Sequence, residues 1–182
     1  MKQEQPGSKG TLVIYASKQG STRQYAEWIA EDLSARAVPF TQARPADLEG
    51  ADTVILGSAV RMGSLLLGKW IRENWRILSD RRLILFSVSA TPPGDEKALR
   101  ETLERSLSAE MIGRMTWVPL HGRLTIATLP LPLRLIMKAA SRPRADAGKG
   151  SPDGSPAELI QEFDAISRES IAPILKAARK RS

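Results

Sequence analysis

The stretch Thr11-Leu12-Val13-Ile14-Tyr15-Ala16-Ser17-Lys18-Gln19-Gly20-Ser21-Thr22 passes from an apolar, β-branched run into a short polar loop, and Arg23 to Ala37 then reads as a helix. A strand running into such a loop at a helix N-terminus makes an anion site. The first amides of the helix have no intrahelical acceptor, and the helix dipole favours negative charge beside them. Gly20 lets a ligand approach the backbone closely, and the hydroxyls of Ser17, Ser21 and Thr22 are further donors. One phosphate suits this loop; a helix N-cap with no ligand is the alternative. The loop lacks the Gly-x-x-x-x-Gly-Lys-Ser/Thr spacing of triphosphate-binding loops and the three-glycine dinucleotide fingerprint.

Strand and helix patterns alternate along the rest of the chain. Expected strands are Thr11–Ala16, Pro39–Ala43, Thr53–Gly57, Arg82–Ser87 and Thr116–Leu120. Expected helices are Ser21–Ala37, Leu65–Leu78, Asp95–Ala109 and Pro156–Lys180. Tyr25, Ile29 and Leu33 recur at helical spacing with Trp28 alongside, as do Leu99, Leu103 and Leu107. Trp28, Trp70, Trp75 and Trp117 read as core or interface anchors. Continuous apolar strands between amphipathic helices indicate a parallel sheet covered on both faces. Ligands of such sheets bind at the carboxyl ends of the strands, near the point where strand order reverses.

At 182 residues one domain is expected, over residues 11–182, behind a polar tail at residues 1–10. The absence of cysteine excludes disulfides, thiolate metal sites and cysteine nucleophiles, and the single histidine, His121, excludes a histidine-rich metal site. The polar tail has no apolar segment of a secretory signal, so a cytoplasmic setting is expected. No run of about 18 apolar residues predicts a spanning helix.

The loop residues carry a resemblance. Ser17-Lys18-Gln19-Gly20-Ser21-Thr22 resembles the FMN-phosphate loop of flavodoxins, which reads Ser/Thr-x-x-Gly-x-Thr after the first strand. The segments Gly57-Ser58-Ala59-Val60-Arg61-Met62-Gly63-Ser64 and Ser87-Val88-Ser89-Ala90-Thr91-Pro92-Pro93-Gly94 stand where flavodoxin-like proteins flank the isoalloxazine ring. The resemblance implies a flavodoxin-like, doubly wound α/β fold with a five-stranded parallel sheet, helices on both faces and a long insertion after the fifth strand. It implies FMN as cofactor, held by Ser17, Lys18, Gln19, Gly20, Ser21 and Thr22, by Ser58, Ala59, Val60, Arg61, Met62 and Gly63, and by Ser89, Ala90 and Thr91. Two features depart from electron-carrier flavodoxins. Neither ring-flanking segment contains Trp, Tyr or Phe, and the formal net charge is +7 where those proteins are typically acidic. Arg61 is a candidate for stabilising an anionic reduced flavin by Coulomb attraction; a solvated loop cation is the alternative.

Between Arg114 and Lys149 the chain has seven basic residues (Arg114, Arg123, Arg134, Lys138, Arg142, Arg144 and Lys149) and one acidic, Asp146, a net of +6. This stretch overlaps the insertion and linker expected at residues 121–155. Leu124 to Leu133 is apolar and broken by Pro130 and Pro132, and Leu133, Ile136, Met137 and Ala140 then share one helical face. Such a segment suits an anionic membrane surface or an amphiphilic anionic ligand, with Arg123, Arg134, Lys138 and Arg142 as contacts. Apolar packing with a solvated basic part is the alternative.

The insertion, with Leu133-Arg134-Leu135-Ile136-Met137-Lys138, together with Gly57–Gly63, resembles the flavodoxin-type menaquinone-dependent protoporphyrinogen IX dehydrogenases of bacterial haem biosynthesis. That implies an FMN-dependent oxidoreductase with porphyrinogen and quinone as partners, peripheral on the cytoplasmic membrane face. A flavodoxin-domain redox protein serving another quinone or a protein partner is a second reading. A basic binding module with a vestigial flavin site is a third, although no nucleic-acid-binding motif is present. No catalytic acid or base is assigned; His121, at the end of the fifth strand, reads as structural or as a proton shuttle. The oligomeric state is left open.

Overall fold

Leu12, Ile14 and Ala16 belong to one hydrophobic layer and Val13 to another; Val54 and Leu56 part from Ile55, and Leu83 and Leu85 from Ile84 and Phe86, in the same way. Side chains alternate across a strand, so three such strands make a sheet buried on both faces. The computed structural model describes residues 10–91, 94–124 and 163–180. The first half runs β1 (Gly10–Ala16), α1 (Ser21–Asp32), β2 (Arg36–Pro39), a 3₁₀ turn (Phe40–Gln42), α2 (Pro45–Glu49), β3 (Ala51–Arg61) and β4 (Ser64–Leu65). It continues through α3 (Gly68–Glu73), α4 (Trp75–Leu78), β5 (Arg82–Ser89), α5 (Glu96–Ser106), α6 (Ala109–Gly113) and β6 (Met115–His121). After β7 (Arg123–Leu124), the described elements resume with β8 (Phe163–Asp164), a 3₁₀ turn (Arg168–Ile171) and α7 (Ala172–Arg179).

The expected five-stranded parallel sheet is present, in the order β2-β1-β3-β5-β6, with β4 added antiparallel at the end of β3. Tyr25, Ala26 and Ile29 of α1, with Ile171 and Ile174 at the chain's end, cover one face. Leu48, Ile71, Leu78, Leu103 and Leu107 cover the other. The connections after β1 and β3 therefore leave toward opposite faces, which makes the carboxyl ends of these neighbours the topological switch point of the sheet.

The chain divides into two compact units, Met1–Gly122 with Ile166–Ser182, and Arg123–Ala165. Within the second, β7 pairs antiparallel with β8, Arg123 opposite Asp164 and Leu124 opposite Phe163. The expected contacts Arg134, Lys138 and Arg142, and the amphipathic segment around them, lie outside the described residues.

Several element boundaries differ from the sequence pattern. α1 stops at Asp32, not Ala37, because Ser34 adopts a left-handed conformation (φ 50°). The Ser34 amide then donates to the Glu31 carbonyl and the Ala35 amide to that of Ala30, at 3.2 and 2.8 Å, the double bond of a Schellman cap. The chain is thereby free to pair early, and β2 is Arg36–Pro39 instead of Pro39–Ala43. The helix expected at Leu65–Leu78 gives its first residue to β4 and is split at Asn74. Asn74 turns its side-chain amide back to the Trp70 carbonyl at 2.9 Å. Of the helix expected over Pro156–Lys180, the described part begins with the short strand Phe163–Asp164 and is helical from Arg168, as a 3₁₀ turn and then α7; Pro173 sits in the first turn of α7, where its missing N–H costs nothing.

Candidate functional site

Strand register brings the candidate loops to one edge. Ala16 is opposite Ser58, Ala59 opposite Val88, and Ser89 opposite His121. The parallel pairing of β1, β3, β5 and β6 therefore ends at a common level.

The first of these departures is Ser17–Gly20. Gly20 takes a left-handed conformation (φ 89°), and its amide donates to Ser17 Oγ at 3.2 Å. Gly20 caps α1 through its backbone alone: the Gln24 amide returns to its carbonyl at 2.9 Å. Lys18 and Gln19 are exposed, whereas Ser21 and Thr22 are buried in the first turn. No carboxylate stands in that turn. Arg23 is engaged sideways with Glu27 at 2.7 Å, a hydrogen bond that raises the guanidinium pKa further. First-turn helix amides, neighbouring hydroxyls, a left-handed glycine and a first turn without a carboxylate are the kinds of group that a phosphate monoester site uses.

The second departure is a hairpin where the sequence suggested an open loop. β3 continues through Arg61, and Val60 and Arg61 pair with Leu65 and Ser64. Met62 and Gly63 form the two-residue turn with φ 50° and 70°, the paired positive values of a type I′ hairpin. Gly63 supplies the left-handed φ of the turn; a Cβ there would stand 2.7 Å from Arg105 Nη1, the end of a flexible side chain that can move aside. Ser58 is fully buried; its hydroxyl donates to the Ala59 carbonyl and accepts from the Leu67 amide, both at 3.0 Å. Ser58 thus holds the hairpin's return, while Ala59 and Val60 are half-buried and Arg61 and Met62 are exposed, Met62 at 92%. Among the described residues Arg61 has no carboxylate partner.

At the third departure Ser89 is buried, its Oγ donating to the Thr91 carbonyl at 3.2 Å; Ala90 is exposed and Thr91 half-buried. His121 Nε2 lies 3.0 Å from the Ala90 carbonyl, and the Gly122 amide donates to the Ser89 carbonyl at 2.9 Å. The hydroxyl of Tyr25 on α1 donates to the His121 carbonyl at 2.8 Å. The apolar stripe on α1 hid this link; the signal available was a tyrosine among aliphatic positions, since a buried phenol needs a partner. Arg123, the fourth basic candidate, lies in the second unit, in β7.

A model of the flavodoxin domain matches residues 12–149. No curated protein matches the chain. Solved structures to which it is similar include a flavoprotein in complex with FMN from Lactobacillus acidophilus, 15% identical, with 63% of this chain and 93% of that chain covered at a TM-score of 0.46. Two-electron reduced flavodoxin from Megasphaera elsdenii is 16% identical, with coverage of 60% and 82% and a TM-score of 0.44. Azoreductase from Bacillus anthracis is 9% identical, with coverage of 62% and 86% and a TM-score of 0.45.

Proposed function

The chain belongs to the flavodoxin-domain family, and from that premise we propose that it binds FMN and works as an FMN-dependent oxidoreductase. The observation that carries this reading is the acid-free start of α1 behind a left-handed Gly20, beside the switch point between β1 and β3. The loop Ser17–Gly20 and the first turn of α1, with their hydroxyls, would take the phosphate. The hairpin at Arg61–Ser64 and the segment Ser89–Thr91 would border the ring. FMN supplies reversible one- and two-electron chemistry when bound, and the chain supplies orientation and electrostatics. Arg61 sets a positive charge at the hairpin, where it favours the more anionic redox state.

The finer reading is a quinone-linked dehydrogenase of the protoporphyrinogen IX type. Its support is the likeness of Gly57–Gly63 and of the basic insertion at residues 121–155 to that family. Arg123, Arg134, Lys138 and Arg142 would pair with substrate carboxylates and with an anionic, quinone-bearing membrane surface. No helix among the described residues is long and apolar enough to cross a membrane. Pro130 and Pro132, which break the apolar part of the insertion, favour a second reading in which the electrons go to or come from another quinone or a protein partner.

The test is the visible spectrum of the purified protein, titrated with FMN and then with protoporphyrinogen and a menaquinone analogue. Bound flavin bleached by porphyrinogen and reoxidised by quinone supports the finer reading. Bound flavin indifferent to porphyrinogen leaves the oxidoreductase reading and removes the substrate. Absence of flavin binding overturns both. Gly20→Val and Thr22→Val should each weaken FMN about tenfold or more; unaltered affinity in both would move the phosphate elsewhere.

A further inference from the structure

We infer that His121 is a positioning residue for the Ser89–Thr91 segment, and through that segment for the ring end of the bound flavin; the inference rests on the FMN reading above. His121 closes β6 directly opposite Ser89 of β5. Its Nε2 stands 3.0 Å from the Ala90 carbonyl. A carbonyl only accepts, so Nε2 carries the hydrogen, in the neutral Nε2–H tautomer as in the imidazolium. The bond therefore persists in either protonation state, and the role it implies is geometric.

Three successive carbonyls of this segment are held. That of Ser89 accepts from the Gly122 amide at 2.9 Å, that of Ala90 faces His121, and that of Thr91 accepts from Ser89 Oγ at 3.2 Å. Among these bonds, the one to Ala90 is made by a side chain from the neighbouring strand. Ala90 is exposed, so core packing does not demand that orientation. A trans peptide is planar, and turning the Ala90 carbonyl toward His121 turns the Thr91 amide the opposite way. His121 thus decides the direction in which that amide is offered.

The imidazole is mounted on fixed backbone. The His121 carbonyl accepts from Tyr25 Oη at 2.8 Å, and Tyr25 belongs to the helix whose first turn forms the phosphate site. Next along the chain, Gly122 passes so close to β5 that a Cβ would meet Val88 Cγ1 at 3.0 Å. The phosphate helix and the ring segment therefore share one anchor, the end of β6.

The experiment compares apoproteins of the wild type, His121→Phe, His121→Asn and His121→Gln. FMN affinity is read by quenching of flavin fluorescence, and inorganic phosphate by its effect on the melting temperature. Phe keeps a ring without the donor, Asn has a donor that falls short of Ala90, and Gln can reach it. We expect Phe and Asn to weaken FMN about tenfold, the loss of one hydrogen bond's worth of orientation, and Gln to recover most of it. The response to phosphate should be the same in all four proteins. Wild-type FMN affinity in Phe and Asn overturns the inference, as does a parallel loss of phosphate stabilisation, which would mark general loosening. If Phe fails to fold, Asn against Gln decides. A wild type that takes up no FMN fails before any variant is made; that outcome removes the FMN reading, and the inference with it.

Discussion

The phenolic hydroxyl of Tyr25 donates to the backbone carbonyl of His121 across 2.8 Å, joining the first helix to the end of the last parallel strand. The ring of Tyr25 is fully buried and meets Trp28 edge to face at 5.8 Å, so one residue supplies both core and a polar tie. The Ser167 amide approaches the same hydroxyl at 3.4 Å.

Tyr25→Phe keeps the ring and leaves the His121 carbonyl without this donor. The expected cost is about 1–2 kcal/mol, or roughly 2–4 °C of melting temperature per kcal/mol for a chain of this size. Thermal unfolding checks it, and an unchanged midpoint would mean that water replaces the phenol without loss.

Gly57 and Phe86 are register partners on β3 and β5, and a Cβ on Gly57 would stand 2.2 Å from Phe86 Cζ. Phe86 is itself fully buried and has no open side to move toward. Gly57→Ala should destabilise by about 1–3 kcal/mol through overpacking. Adding Phe86→Leu should return part of that loss, measured as a coupling energy in a denaturant double-mutant cycle; strictly additive effects would show that the ring relaxes elsewhere.

Arg61 stands exposed at the hairpin, without a carboxylate partner among the described residues. Given bound FMN, Arg61→Gln should lower the midpoint potential, because the anionic reduced state loses a favourable charge. Two partly screened charges about 8–10 Å apart interact by on the order of 1–2 kcal/mol, roughly 20–40 mV for a two-electron couple. Arg61→Glu should lower it further. Identical potentials in all three proteins would make Arg61 a solvated loop cation.

Asp47 accepts from the Arg44 amide at 2.9 Å and is paired with Arg36, and these bonds, the backbone one foremost, hold its carboxyl below the usual aspartate range. A depressed carboxylate stabilises the fold at pH values above its unfolded pKa, near about 4, and loses that contribution as pH falls through its folded value. Asp47→Asn should therefore lower the melting temperature more at pH 7 than at pH 3. A constant gap between the two proteins at both pH values would contradict the assignment.

The sequence alone determined the strand, the polar loop and the helix start at Thr11–Thr22, since local periodicity and a glycine at the loop's end are written in consecutive residues. It also determined the alternation that packs Leu12, Ile14, Val54 and Leu56 away from Val13 and Ile55, and with it a parallel sheet covered on two faces. The three strand-end segments named from sequence do leave one edge of that sheet, because parallel strands joined by crossover helices all end on the same side. What only the tertiary structure decided lies where propensity and geometry part. Ser34 and Met62 take left-handed conformations that sequence patterns assign to glycine or asparagine, so the end of α1 and the hairpin after β3 were not readable. Ser58, a ligand candidate by sequence, is buried and accepts from the Leu67 amide, a link that no local pattern shows. Tyr25 and His121 are 96 residues apart. Their bond follows from where β6 lands in the sheet, and no local pattern encodes a contact that exists only once the chain has closed that loop.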